Sequence, residues 1–264
     1  MDIVVCIKQV PDPEQFSKIK IDPVKGTISR EGVPAVINPL DRHALEEALR
    51  IRDQFSGEVT AISMGPPQAR EAMEEALAMG VDDAVLLCDR AFAGADTLAT
   101  AYSLAGAIKK LGKFALILCG NDTVDGATGQ VGPQVAELLS IPHVTYVNKV
   151  EFVDGESLIA TRAIERGYLR VKVKLPALFA VVREINQFRL PTALGIIEAT
   201  KKEIKVWNAE DIETTKETIG LDGSPTRVIG GFELELKRKR EILEGSPEEI
   251  AKEAVKKLRE LGVI

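Results

Sequence analysis

From residue 3 to about residue 140 the chain alternates apolar runs of strand length with amphipathic segments of helix length, and that alternation limits the fold more than any other feature. Ile3–Val10 reads as a buried strand. Pro39–Phe55 follows as a helix, with Leu40, Ala44, Leu45, Ala48, Leu49 and Ile51 spaced for one apolar stripe. Val59–Met64 is the next strand, closed by Gly65-Pro66-Pro67. Glu71–Met79 is a helix stopped by Gly80, Ala84–Cys88 a strand, and Asp96–Leu111 a helix ended at Gly112. Ala115–Cys119 and Gly129–Leu139 complete the series. Such a series predicts an α/β fold, a parallel sheet with helices on both faces. Ligands of these sheets lie in the crevice beyond the carboxyl ends of the strands, so the residues that follow each strand become the candidates.

After residue 140 the pattern changes. Val144–Val153 and Ser157–Ile164 flank the turn composition Asp154-Gly155-Glu156 and read as a hairpin. Tyr168–Val173 and Ala177–Val182 extend the sheet, so antiparallel strands are added to the parallel ones. Asn186–Thr200 is a loop running into a short helix. Residues 208–245 show no strong period and little core-forming content. Ser246-Pro247-Glu248-Glu249 then starts a last helix, with Ser as N-cap, Pro at N1 and Glu at N3. Its stripe of Ile250, Ala254, Val255, Leu258 and Leu261 has to dock, either on its own domain or on a partner. The expected division is an α/β domain over 1–207 and an extended C-terminal arm ending in a helix over 208–264.

Composition removes several classes of function. The chain has 264 residues, 45% of them hydrophobic, enough to bury a core without disulfides or a structural metal. Its formal charge of −6 gains no counterion release from nucleic acid and no attraction to an anionic membrane, so neither is an expected partner. No apolar run approaches the roughly 18 residues of a spanning helix. The first residues lack the basic start and small-residue cleavage site of a leader, and a cytoplasmic location is expected. Cys6, Cys88 and Cys119 form no Cys-x-x-Cys pair, and His43 and His143 are the only histidines. A zinc cage or a His-driven nucleophile is therefore a poor fit, and any redox chemistry would rest on a bound organic cofactor.

The most informative local stretch is Cys119-Gly120-Asn121-Asp122-Thr123-Val124-Asp125-Gly126-Ala127-Thr128-Gly129-Gln130-Val131-Gly132-Pro133. It leaves a buried strand, carries three glycines at spacing three and enters a helix. Glycines let the backbone approach a phosphate, and a helix N-terminus offers unpaired N–H groups to an anion. The stretch has no lysine, so it is not a Walker loop, and its glycine spacing is not the dinucleotide fingerprint. A ligand-free corner would have the same composition. Gly94-Ala95-Asp96-Thr97-Leu98-Ala99-Thr100 opens another helix with small and hydroxyl residues, which either cap it or bind a ribityl chain or phosphate. Asn38-Pro39-Leu40-Asp41 opens the first helix, where Asn38 suits an N-cap and capping alone would explain it. With Met64-Gly65, four small or polar segments fall on one sheet edge, which favours a nucleotide. The Ser-Gly-Gly-x-Asp-Ser signature of adenylating ATP pyrophosphatases is absent after the first strand.

Several motifs in order resemble one family over nearly the whole chain. They are Val5-Cys6-Ile7-Lys8-Gln9-Val10-Pro11-Asp12, Asn38-Pro39, Met64-Gly65-Pro66, Ala76-Leu77-Ala78-Met79-Gly80, Asp125–Pro133 and Arg183–Thr200. Together they resemble the electron transfer flavoprotein beta subunit. The resemblance implies a heterodimer whose alpha subunit carries FAD in a mobile domain. The beta subunit would supply an adenine-nucleotide-binding domain and an arm that embraces that mobile domain. By motif match, Cys6, Asn38, Pro39, Leu40, Asp41 and Met64 would surround adenine and ribose. Asp122, Thr123, Val124, Asp125, Gly126, Ala127, Thr128, Gly129, Gln130, Val131, Gly132 and Pro133 would hold the phosphates.

The segment Asp89–Thr100, with Asp96, Thr97 and Thr100, resembles the bifurcating type, in which this loop lies along a second flavin. The AMP-binding branch has an acidic Gly-Gly-rich turn and a following Glu near residues 165–170. Here Glu165-Arg166-Gly167-Tyr168-Leu169-Arg170 departs from it. The resemblance thus implies FAD reduced by NADH, with electrons passing to ferredoxin or flavodoxin and, through the alpha subunit, to a dehydrogenase or quinone-linked flavoprotein. Leu190 and Leu194 lie in the loop that resembles the family's partner-docking loop, whose anchor leucine aligns with Ala193. Packing onto the helix that follows is the alternative for both leucines. Two other readings stay open: a single-flavin carrier with structural AMP, and a stand-alone adenine-nucleotide sensor.

Overall fold

The computed structural model describes residues 1–18, 20–21, 28–29, 32–227, 229 and 240–264. Ile3–Cys6 (β1) is buried along its whole length, so both of its faces must be covered. Ile3 and Val5 enter one apolar layer, Val4 and Cys6 the opposite one. The strand expected over Ile3–Val10 stops earlier than its apolar run suggests. Lys8 and Gln9 do not suit a sheet covered on both faces, and the chain leaves it there. Gln9–Pro11 (β2) instead pairs antiparallel with Ala35–Ile37 (β3) in a separate ribbon.

The alternation then proceeds as predicted: Pro39–Phe55 (α1), Val59–Met64 (β4), Arg70–Met79 (α2), Asp83–Leu87 (β5), Thr97–Leu111 (α3), Leu116–Gly120 (β6) and Val131–Leu138 (α4). His143–Asp154 (β7), Ser157–Ile164 (β8) and Gly167–Lys174 (β9) add two antiparallel pairings, β7 with β8 and β8 with β9, and Ala177–Val181 (β10) returns between β6 and β7, parallel to both. Ala193–Ala199 (α5), Ile204–Trp207 (β11) and Pro247–Glu260 (α6) follow. The sheet order is β9-β8-β7-β10-β6-β1-β4-β5-β11. The expected α/β architecture is the observed one. β11 escaped the sequence reading because, as a short edge strand, it buries only Ile204.

Ala44, Leu45, Ala48 and Leu49 of α1 cover one face together with Met73 and Ala76 of α2. Ala101, Leu104 and Ile108 of α3 cover the other with Val135 and Ala136 of α4. The chain runs outward from β1 through β4 to β5 and then crosses back to β6 on the opposite flank of β1. Strand order therefore reverses between β1 and β6, and a crevice opens beyond their carboxyl ends.

Past residue 207 the chain still packs against the α/β layers. Ile212 and Ile219 are buried in the α3–α4 layer and Ser224 is buried with them. Two isoleucines are too sparse a signal to set a period, which is why residues 208–224 read as thinly packing. α6 starts with the expected capping box, Ser246 and Glu249 serving each other's N–H groups. It buries none of its residues, and Lys257 pairs with Glu241. Among the described residues no helix is long and apolar enough to cross a membrane.

Candidate functional site

The floor of the crevice is built by α1. Asp41, in its first turn, accepts the Lys8 N–H on Oδ2 at 2.8 Å and the Gly120 N–H on Oδ1 at 2.9 Å. One carboxylate thus ties together the chain leaving β1 and the end of β6. The fit needs glycine at 120, because a Cβ there would lie 2.5 Å from Asp41 Oδ1 and 2.7 Å from Leu40 Cβ. Burial pushes the Asp41 carboxyl up to about 7, against the opposing hydrogen bonds from Lys8, Asn38 and Gly120. Cys6 and Cys119 are register partners on β1 and β6. Burial, with the Asp41 charge beside it, pushes the Cys6 thiol up to about 12, and Cys119 is raised in the same way. These thiols stay protonated and act as small apolar residues.

Asn38 departs from the capping expectation. It occupies the N-cap position of α1 without a side-chain cap bond. Its amide faces the neighbouring loop instead, with Nδ2 donating to Asp122 O at 2.9 Å and Oδ1 accepting the Val124 N–H at 3.2 Å. Lys8 Nζ adds an ion pair to Asp125 at 2.7 Å. The loop then turns through Ala127 and Gly129, at φ +50° and +62°. A Cβ on Gly129 would stand 3.3 Å from Asn121 O. Buried Asn121 donates its N–H to Val181 O at the end of β10 and accepts the Tyr146 N–H on Oδ1 at 3.0 Å. Gly126, Ala127, Thr128 and Gln130 are exposed, while Thr123, Val124 and Gly129 are half-buried.

Two further helices open toward this edge, and of these only α4 is free of a side-chain cap. Asp96 caps α3, accepting from Leu98 and Ala99, and hydrogen bonds from Ala99, Thr226 and Leu98 hold its carboxyl below the ordinary value despite some burial. α4 has no side-chain cap at Gln130. Thr97 Oγ1 reaches Gln130 Oε1 at 3.3 Å and joins the two helix starts. Gly132 lets the first turn of α4 sit against β6, its Cβ position being 3.0 Å from Cys119 Sγ. An uncapped helix start, fed by a loop pinned by Asn38, Lys8 and Asn121, can take an anion through main-chain N–H groups. Pro133, next in that turn, has no N–H to offer.

The sequence-derived residues thus gather on one edge: Cys6, Asn38–Asp41 and Asp122–Pro133 around the switch point, with Asp96, Thr97 and Thr100 at the start of α3. Met64 ends β4, half-buried against the α3–α4 layer. Lys8, Asn121 and Tyr146 were missed as site residues. Tyr146 has φ +56° where β7 shifts register against β10, and the residue is 49% exposed. Its partner Asn121 lies 25 residues away, so no local pattern marks the pair.

A second surface lies on the α1–α2 face. Arg189 places three donors on Glu46, its N–H at 3.0 Å, Nε at 2.8 Å and a terminal nitrogen at 3.3 Å, and Arg50 adds a fourth at 2.7 Å. Burial raises the Glu46 carboxyl, but these bonds win and hold it below the ordinary glutamate value. Asn186 bonds His43 and Glu47, and Phe188 stands edge-on to His43. Beyond this anchor Leu190 and Leu194 are 75% and 68% exposed, with Ile197 beside them in α5.

Comparison with known proteins shows the family. The electron transfer flavoprotein domain family matches residues 25–212. The electron transfer flavoprotein subunit beta of Clostridium acetobutylicum is 52% identical over 260 residues, covering 98% of each chain. That of Thermoanaerobacterium thermosaccharolyticum is 50% identical over the full length of both. Subunit CarD of the caffeyl-CoA reductase–Etf complex of Acetobacterium woodii is 46% identical, again over both full lengths.

Proposed function

We propose, from the premise that this chain belongs to the electron transfer flavoprotein family as a beta subunit, that its crevice holds FAD and that the protein takes part in electron bifurcation. The observation that carries the nucleotide part of the reading is the pinned loop from Asn121 to Gln130, feeding the uncapped start of α4 at the β1/β6 switch point. A dinucleotide would lay its phosphates in this cradle. Gly129, Val131 and Gly132 would present main-chain N–H groups to its phosphates, while Cys6, Asn38 to Asp41 and Met64 border the adenosine side. Asp89–Thr100 would run beside the flavin end. When bound, the flavin supplies hydride acceptance from NADH and divides the electrons between ferredoxin or flavodoxin and, through the FAD of the alpha subunit, a dehydrogenase or quinone-linked flavoprotein.

The residues of this chain bind and orient. Asp41 and Asn38 set the height of the phosphate loop, and Lys8 neutralises Asp125 within it. His43 is held by Asn186. Leu190 and Leu194 would dock an electron-accepting partner, and α6 would lay its apolar stripe on the alpha subunit. The name of the Acetobacterium relative, part of a caffeyl-CoA reductase complex, supports a bifurcating assignment. So does the departure of Glu165–Arg170 from the AMP-branch pattern. Counting cofactors in the purified heterodimer tests it. Two FAD and no AMP per heterodimer are expected; one FAD with one AMP would overturn the bifurcating reading and leave a single-flavin carrier.

A further inference from the structure

Asp96 stands where the start of α3 meets the root of the C-terminal segment, and its two carboxylate oxygens serve different segments. Oδ1 accepts the N–H groups of Leu98 and Ala99, both at 3.0 Å, and caps the helix. Oδ2 accepts the Thr226 N–H at 2.9 Å. The Asp96 main-chain N–H donates to Ser224 Oγ at 2.8 Å, and that buried hydroxyl donates in turn to Gly220 O at 2.7 Å. The two segments are in close contact. A Cβ on Gly220, at φ +58°, would lie 2.0 Å from Ala91 O, and one on Gly94 would lie 3.2 Å from Leu221 Cβ. At the near end of the same segment Asp89 Oδ2 accepts the Ala209 N–H at 3.0 Å. Among the described residues, Thr226 is the last that hydrogen-bonds to the α/β domain.

We propose that Asp96 is the positioning residue of the C-terminal arm: with Ser224, its Oδ2 fixes the point from which the chain departs toward α6, and so the geometry with which the arm reaches the alpha subunit. The inference rests on the reading that the arm and α6 bind that subunit. A fixed root limits the conformations a tether must give up when its far end is captured, which strengthens association without any new contact. The arrangement also reassigns Asp96. Both of its oxygens already have main-chain donors, so it is a joint between the rim of the crevice and the arm.

Asp96→Asn separates the two roles. Asparagine caps a helix about as well as aspartate and keeps an oxygen for Leu98 and Ala99, whereas its amide nitrogen cannot accept from Thr226. Ser224→Ala removes the same fastening from the other side. In the purified heterodimer both variants should speed amide exchange over residues 219–226 by about 10-fold while α3 keeps its protection. The subunit dissociation constant should rise about 5- to 10-fold. Unchanged exchange at Thr226 in both variants overturns the fastening. Faster exchange with an unchanged dissociation constant overturns its role in placing the arm. A variant lacking residues 240–264 keeps the underlying reading separate. If that deletion leaves the dissociation constant unchanged, the arm does not bind the alpha subunit and the positioning role falls with it. If the deletion weakens association and the point variants do not, the inference fails and the arm reading survives. Should Asp96→Asn fail to fold, Ser224→Ala carries both measurements.

Discussion

Asp41 makes the stability of this chain depend on pH in a direction opposite to most carboxylates. Its side chain is 4% exposed, and burial raises its carboxyl from an ordinary value of 3.8 to about 7. Between those two values the folded chain binds the proton and the unfolded chain has released it. Stability therefore falls as pH rises through the window from about 4 to about 7, and is level with respect to this group on either side. Each factor of ten in proton affinity is about 1.4 kcal/mol, so the interval corresponds to about 4 kcal/mol at most. Asp41→Asn cannot titrate and removes this slope. It also turns an amide nitrogen toward one of the two main-chain donors, Lys8 or Gly120, a loss of about 1–3 kcal/mol that does not change with pH. Urea unfolding of both proteins at half-unit steps from pH 4.5 to 8 gives the difference in stability at each pH, and every other titrating group cancels in it. The wild type's advantage should shrink steadily up to about pH 7 and then stay constant, with equal denaturant slopes in the two proteins. A difference that is flat across the window, or that grows with pH, would refute the burial argument. It would mean that the two N–H donors and nearby Lys8 hold Asp41 ionised.

Gly120→Ala drives a methyl into Asp41 Oδ1 and Leu40 Cβ. It should cost about 1–3 kcal/mol by overpacking, read as a lower thermal midpoint, and should reduce the flavin retained on purification because α1 is lifted from the end of β6. Glu46→Ala strands Arg189, whose side chain is 37% exposed, so the loss should be near 2 kcal/mol and below that of a fully buried pair. Limited proteolysis should then cut faster between residues 186 and 197; unchanged cleavage would show that the loop holds its shape without Glu46.

The fold was legible because its strongest signals are local. Pro39 at the start of α1, Gly80 at the end of α2 and the Ser246 capping box act within one turn of the chain, and each is found where its residue type predicts. The arrangement of the site was less so. Asn38 reads locally as an N-cap, yet its amide bonds are made 84 and 86 residues away, at Asp122 and Val124. Asp96 reads as a cap and is one, but its second oxygen serves Thr226, 130 residues on. Lys8 and Asp125 are 117 residues apart. A local pattern can place such residues at a strand end. It cannot say which main-chain group they will meet, because that partner is chosen by the sheet order.

These partnerships bear on how the crevice recognises its ligand. Asn38, Asp41 and Asp96 are among the polar side chains that the sequence offers to a nucleotide, and they, like Asn121, make hydrogen bonds to main-chain groups. They hold the shape of the crevice, which on the proposed reading would leave direct recognition to what that shape exposes, namely the main-chain N–H groups of the loop and the start of α4. Such groups read phosphate and not the rest of the molecule. A scaffold of this kind would accept AMP or the AMP half of FAD with the same contacts, so the choice between them would lie beyond the phosphates, where Asp89–Thr100 and the alpha subunit would leave or deny room for a flavin. Substitutions in the phosphate loop should therefore weaken either ligand alike, whereas a change of ligand would require changes along Asp89–Thr100.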